Sequence, residues 1–107
     1  MASRKNKDGG GGTKLKSRDE EKLQRPKKYK VVLHNDDFTP MDFVASLLIK
    51  VFNMSQEKAW IVTKSVHEKG RGIAGVYSRE IAETKSGQAN KAARAYGHPF
   101  QSSTEPE

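Results

Sequence analysis

The 107-residue chain contains no cysteine. That one absence excludes disulfides, thiol nucleophiles, redox pairs and zinc ribbons. No apolar run approaches the roughly 20 residues of a membrane span. The N-terminus lacks the apolar stretch of a secretory signal, and its mixture of Lys, Gly and acids is unlike an acid-poor transit peptide. A cytoplasmic protein with no membrane partner is the expectation. Hydrophobic residues are scarce at 34%, and aromatics make up 7%. After Met1 the first 27 residues hold only Leu15 and Leu23 as large aliphatics. The core-forming material therefore lies between Tyr29 and Phe100, enough for one small domain.

The formal charge of +7 is unevenly divided. Residues 1–27 carry nine Lys or Arg against four Asp or Glu, whereas the remainder carries eleven against nine. With Gly9 to Gly12 among those charges, residues 1–27 read as a disordered basic extension, either a solubilising leader or a mobile arm. Such an arm binds RNA only through phosphates. The folded part shows no nucleic-acid motif, so nucleic acid is not the expected main partner.

Six elements are predicted. Tyr29, Val31 and Leu33 alternate with Lys30, Val32 and His34, the pattern of a half-buried strand. Met41, Val44, Leu47, Leu48, Val51 and Phe52 share one helical face, with Thr39 as N-cap, Pro40 at the first helical position and Asn53 at the end. Ser55 caps a second helix, with Ala59, Val62, Thr63, Val66 and His67 on one face, and Gly70 closes it. Gly70-Arg71-Gly72 reads as a turn and Ile73 to Tyr77 as a short strand. Ser78 caps a third helix carrying Ile81, Ala82, Ala89, Ala92, Ala93 and Tyr96, which Gly97 and Pro99 stop. Phe100 opens a last strand, and the polar ending reads as a short flexible tail. The order β-α-α-β-α-β predicts an α+β domain over residues 28–107, a three-stranded antiparallel sheet packed against three helices.

Between the first strand and the first helix lies Asn35-Asp36-Asp37-Phe38-Thr39-Pro40-Met41. Asn and Asp tolerate tight turns and point oxygens outward, so the segment suits a ligand-facing loop beside an apolar helix face. A small ligand with one cationic and one apolar end fits that pairing. Enzymatic readings are weaker. Asp36, Asp37 and His67, with His34 or His98, make a conceivable metal set, but no ligand spacing such as a His pair at i, i+4 occurs. No activated Ser stands in a motif, and no Gly-rich loop joins a strand to a helix. Neither catalysis nor a cofactor is expected.

Taken together, Tyr29-Lys30-Val31-Val32-Leu33, the Asn35 to Val44 segment, Val66-His67 before Gly70, Gly75-Val76-Tyr77, Glu80 to Lys85 and His98-Pro99-Phe100 resemble the ClpS family, adaptors of the bacterial Clp AAA+ protease. The resemblance spans about residues 28–100. It implies a monomeric, non-enzymatic adaptor that binds proteins beginning with Phe, Tyr, Trp or Leu and hands them to the unfoldase. It implies that Asn35, Asp36 and His67, with Asp37 in the same loop, bind the α-amino group and first peptide unit. Met41, Val44, Thr63, Val66 and Phe100 would line the side-chain pocket, with Met41 excluding β-branched first residues. Glu80 and Lys85 would face the N-terminal domain of a ClpA-like or ClpC-like unfoldase, and the extension would help engage its pore. Thr63 stands where Met is common in the family and Phe100 where Leu is common, which leaves the ranking among the four first residues open. The competing reading is a small ribosome- or RNA-associated α+β protein acting through its basic arm, since a ribosomal stalk domain has a similar architecture.

Overall fold

The computed structural model describes residues 26–107. The predicted extension, apart from Pro26 and Lys27, lies outside the described residues. The elements run β1 (Lys28–His34), α1 (Met41–Lys50), α2 (Gln56–Lys69), β2 (Arg71–Ser78), α3 (Arg79–Ala95) and β3 (Gln101–Pro106). The three strands form one antiparallel sheet in the order β2-β1-β3. The expected order, sheet and helices are all present.

β1 is the central strand, and that changes its burial. Val31, Val32 and Leu33 are all fully buried, where a half-buried alternation was expected. Val32 is flanked by Ile73 on β2 and Ser103 on β3, so neighbours on both sides cover the face that the sequence pattern leaves to solvent. A bulge between Val31 and Val32 lets β2 carry one extra residue, Ala74, at this point.

Small residues set the spacing between helix and sheet. Ala82, Ser86, Ala89 and Ala93 recur at helical intervals on α3 and are all buried, which lets the helix lie close to the strands. α1 contributes Val44, Leu47 and Leu48 to the same core, and α2 contributes Ala59 and Val66. Ile81 and Tyr96, expected on the apolar side of α3, are instead 49% and 72% exposed.

Three boundaries differ from expectation. Pro40, not Thr39, is the N-cap of α1, and its carbonyl accepts from the N–H groups of Phe43 and Val44. Thr39 is occupied elsewhere, as described below. Gly70 alone makes the turn after α2: it is left-handed at φ 90°, whereas Arg71 and Gly72 already pair with His34 and Leu33. The predicted tail is an edge strand: residues 101–106 pair with β1, and the N–H of Glu107 donates to the carbonyl of Lys28. Its Ser and Thr residues read as solvated because a strand so poor in apolar residues has no hydrophobic periodicity to reveal it.

Candidate functional site

β1 ends in the polar loop, and the loop is tied to the end of α2. The N–H of Asn35 donates to the carbonyl of Gly70 at 3.0 Å. That bond holds the loop beside the last turn of α2, which carries His67.

Asp36 organises the loop from within. Its Oδ1 accepts from the N–H groups of Phe38 and Thr39, both at 2.8 Å. Its Oδ2 accepts from the Thr39 hydroxyl at 2.9 Å. This is the local Asx turn that short acidic side chains favour. It explains why Thr39 does not cap α1. Phe38, at the loop tip, is 81% exposed.

A small, partly open pocket with a cavity volume of about 20 Å³ lies between this loop, α1, α2 and the residue before β3. Its rim is polar: His34, Asn35, Asp36, Thr39 and His67 line it. Its inner end is apolar, with Val44, Thr63, Val66 and Phe100 buried and Met41 half-buried between the two regions. The arrangement offers one fixed carboxylate, amide and imidazole groups, and then an aliphatic and aromatic cavity. A cationic head with an apolar tail matches it in both parts.

The pocket wall is set by close packing. A Cβ placed on Gly72 of β2 would fall 2.6 Å from Cγ2 of Val66, so α2 reaches the sheet here only because residue 72 is glycine. On the other side, Phe100 is fixed by what precedes and follows it. The His98 ring stands edge-on to Phe43 of α1, with centroids 4.5 Å apart. The N–H of His98 also bonds the carbonyl of Ala93 at 2.8 Å.

Of the residues singled out in the sequence, Asn35, Asp36, Met41, Val44, Thr63, Val66, His67 and Phe100 all line this pocket. Asp37 does not; it is exposed on the loop. Two lining residues, His34 and Thr39, were not among those expected at the ligand pocket. His34 looked like a strand end, and its Nε2 lies 2.7 Å from the Ser103 hydroxyl. Thr39 looked like a cap; its spacing of three from Asp36 was the available signal for the Asx turn.

Glu80 and Lys85 share a separate groove on α3 with Ile81, Thr84 and Gln88. Glu80 is exposed, but Lys85 is half-buried. The Lys85 ammonium donates to the carbonyl of Val51 at 2.8 Å. It lies 5.4 Å and 6.0 Å from the ring centroids of Tyr77 and Phe52. Burial pushes the Tyr77 hydroxyl above its ordinary pKa. Among the described residues no three His, Asp or Glu side chains converge to hold a metal ion. None of the described helices is long and apolar enough to cross a membrane.

The sequence matches the family model described as "ATP-dependent Clp protease adaptor protein ClpS" over residues 24–103. It is 50% identical over 86 residues to the ATP-dependent Clp protease adapter protein ClpS of Oleidesulfovibrio alaskensis, covering 80% of this chain and 83% of that one. Against the protein of the same name from Hydrogenovibrio crunogenus the identity is 55% over 80 residues, covering 75% and 77%. Among solved structures the fold is similar to Agrobacterium tumefaciens ClpS2 bound to L-phenylalaninamide. There the TM-score is 0.76 and the identity 43%, with 78% of this chain and all of that one covered.

Proposed function

The chain belongs to the ClpS family of ATP-dependent Clp protease adaptors, and we propose that its pocket captures the free N-terminus of a substrate protein together with its first side chain. The observation that carries this reading is the two-part pocket, with Asn35, Asp36 and His67 at the rim and Val44, Val66 and Phe100 at the inner end. The relative's ligand, L-phenylalaninamide, has the matching chemistry: a free amine, an aromatic side chain and a carboxamide in place of the next peptide unit.

A free α-amino group has a pKa near 7.7–8.0 and is largely cationic at neutral pH. A blocked or internal peptide nitrogen carries no such charge. Asp36 retains acceptor capacity for it, because its three internal bonds occupy three of roughly four lone-pair positions. A hydrogen bond to a charged group contributes roughly 1.5–3 kcal/mol, enough to separate free from blocked ends by tens of fold. Burying a Phe-sized side chain adds roughly 1.5–3 kcal/mol. The Met41 thioether, between rim and cavity, is the flexible wall that would exclude first residues branched at Cβ.

Delivery follows from the rest of the molecule. The α3 groove with Glu80 and Lys85 is the surface for the N-terminal domain of a ClpA-like or ClpC-like unfoldase, and the basic extension assists hand-over. The protein acts by binding, without catalysis, as a cytoplasmic monomer whose substrates begin with Phe, Tyr, Trp or Leu. Titration of labelled peptides beginning with Phe, Leu, Val and Met, beside N-acetylated Phe, tests the reading. Tight binding of free Phe or Leu ends, abolished by acetylation and by Asp36→Ala, is the expected result. Equal binding of free and acetylated ends would refute it.

A further inference from the structure

The apolar inner end of the pocket contains one polar side chain whose chemistry is so far unused. Thr63 is 3% exposed and lines the pocket with Val44, Val66 and Phe100. Its Oγ1 is buried and has no hydrogen-bond partner among the described residues. A helical threonine ordinarily turns its hydroxyl back to a carbonyl three or four residues earlier. Here those carbonyls belong to Trp60 and Ala59, and neither accepts.

Buried polar groups are nearly always paired. An unpaired hydroxyl on a pocket wall marks a place where the ligand can supply the partner. The position of Thr63 says which part of the ligand that is. The charged amine is held at the rim, so the inner end receives the far tip of the first side chain. Leu and Phe end in carbon, and the Trp N–H lies partway along its ring system. Tyr carries an apolar body with a hydroxyl at the tip.

We propose that Thr63 Oγ1 hydrogen-bonds the phenolic hydroxyl of an N-terminal Tyr and so ranks Tyr ahead of Phe in this pocket. The assignment rests on the N-terminal capture reading and specifies its substrate. The Tyr hydroxyl leaves water for a partner that would otherwise stay unpaired, whereas Phe leaves the threonine orphaned. A net neutral hydrogen bond corresponds to a preference of roughly three- to tenfold.

Fluorescence anisotropy with the full chain tests this, using peptides identical except for a first residue of Tyr or Phe, each with its N-acetylated counterpart. Wild-type protein is expected to bind the free Tyr peptide roughly three- to tenfold more tightly than the free Phe peptide. Thr63→Val keeps the side-chain shape and removes the hydroxyl, and the Tyr-to-Phe ratio should fall to one or below. Thr63→Ser restores a hydroxyl and should keep a preference for Tyr. A wild-type ratio at or below one, or a ratio unchanged by Thr63→Val, overturns the assignment and leaves N-terminal capture standing. Failure of the wild-type protein to bind either free peptide, or equal binding of acetylated ones, overturns both.

Discussion

Asp36 holds its own loop and, in the proposed capture of a substrate N-terminus, would also meet the ligand's amine. Three of its acceptor positions hold the loop, through Phe38 and Thr39; the remaining capacity is what a substrate amine would use in the proposed capture. A carboxylate fixed in this way loses little rotamer freedom when a cation arrives, so more of the interaction appears as affinity. Thr39→Val removes the bond to Oδ2 while keeping a β-branched side chain. Peptides with free N-termini should then bind roughly threefold to tenfold less tightly, at a cost of about 1 kcal/mol or less in folding stability. Unchanged affinity in a peptide titration would mean that the backbone donors alone hold the carboxylate. At this scale the sequence was readable where residue type limits the choices: three short polar residues before an amphipathic helix make a loop, and Val66-His67 falls at the end of the next helix. It was misleading at Thr39, because a Thr before Pro serves equally as a cap or as a donor to an upstream Asp. The place of His34 on the pocket was missed because nothing in a strand's last residue says what lies across from it.

At the scale of elements, the pocket depends on how β3 is held. β3 is an edge strand, and its outer side is met by a side chain. Asn90 of α3 accepts from the N–H of Ser102 at 2.7 Å and donates to the carbonyl of Ser102 at 3.0 Å. The hydroxyls of Ser86 and Ser102 lie 2.7 Å apart within the same buried contact. Ser102 is two residues beyond Phe100, so this network anchors one wall of the pocket. Asn90→Ala would leave both backbone groups unpaired in a partly buried place, costing roughly 1–3 kcal/mol. Chemical denaturation should show that loss, and peptide affinity should fall with it as Phe100 loosens. Full retention of affinity in a destabilised variant would mean that the Phe43–His98 contact fixes Phe100 alone. The same region shows where the extent of an element escaped the sequence. The helices were legible from their apolar periodicity and from Ser55, Gly70, Ser78 and Gly97, each a residue type that starts or stops a helix for a local reason. The last strand was expected to open at Phe100, but its reach to Pro106 was not, because the Asn90 network and pairing with β1 hold it there, and both are long-range. The early start of β2 at Arg71 has the same cause: register with His34 decided it, not local propensity.

For the whole molecule, the pocket and the α3 groove have no lining residue in common. An adaptor needs that separation, since the surface that holds the substrate must stay engaged while another surface meets the unfoldase. The two residues assigned to the second surface are not equivalent. Glu80 is exposed in the first turn of α3, free to meet a partner. Lys85 is engaged inside the fold, closing the end of α1 through the Val51 carbonyl and lying against two aromatic rings. Lys85→Ala should therefore lower stability as well as any association, and only Glu80 isolates the docking role. Glu80→Lys reverses one exposed charge and is expected to weaken association with the unfoldase N-terminal domain severalfold, in a salt-dependent way. Its affinity for free N-terminal peptides should stay within about twofold of wild type, since exposed substitutions away from a site change little. Asp36→Ala should do the opposite, losing peptide binding while keeping the unfoldase. Parallel titrations of both variants against both partners check this: a variant that loses both affinities would mean the two surfaces act as one, and the separation of capture from delivery would fall.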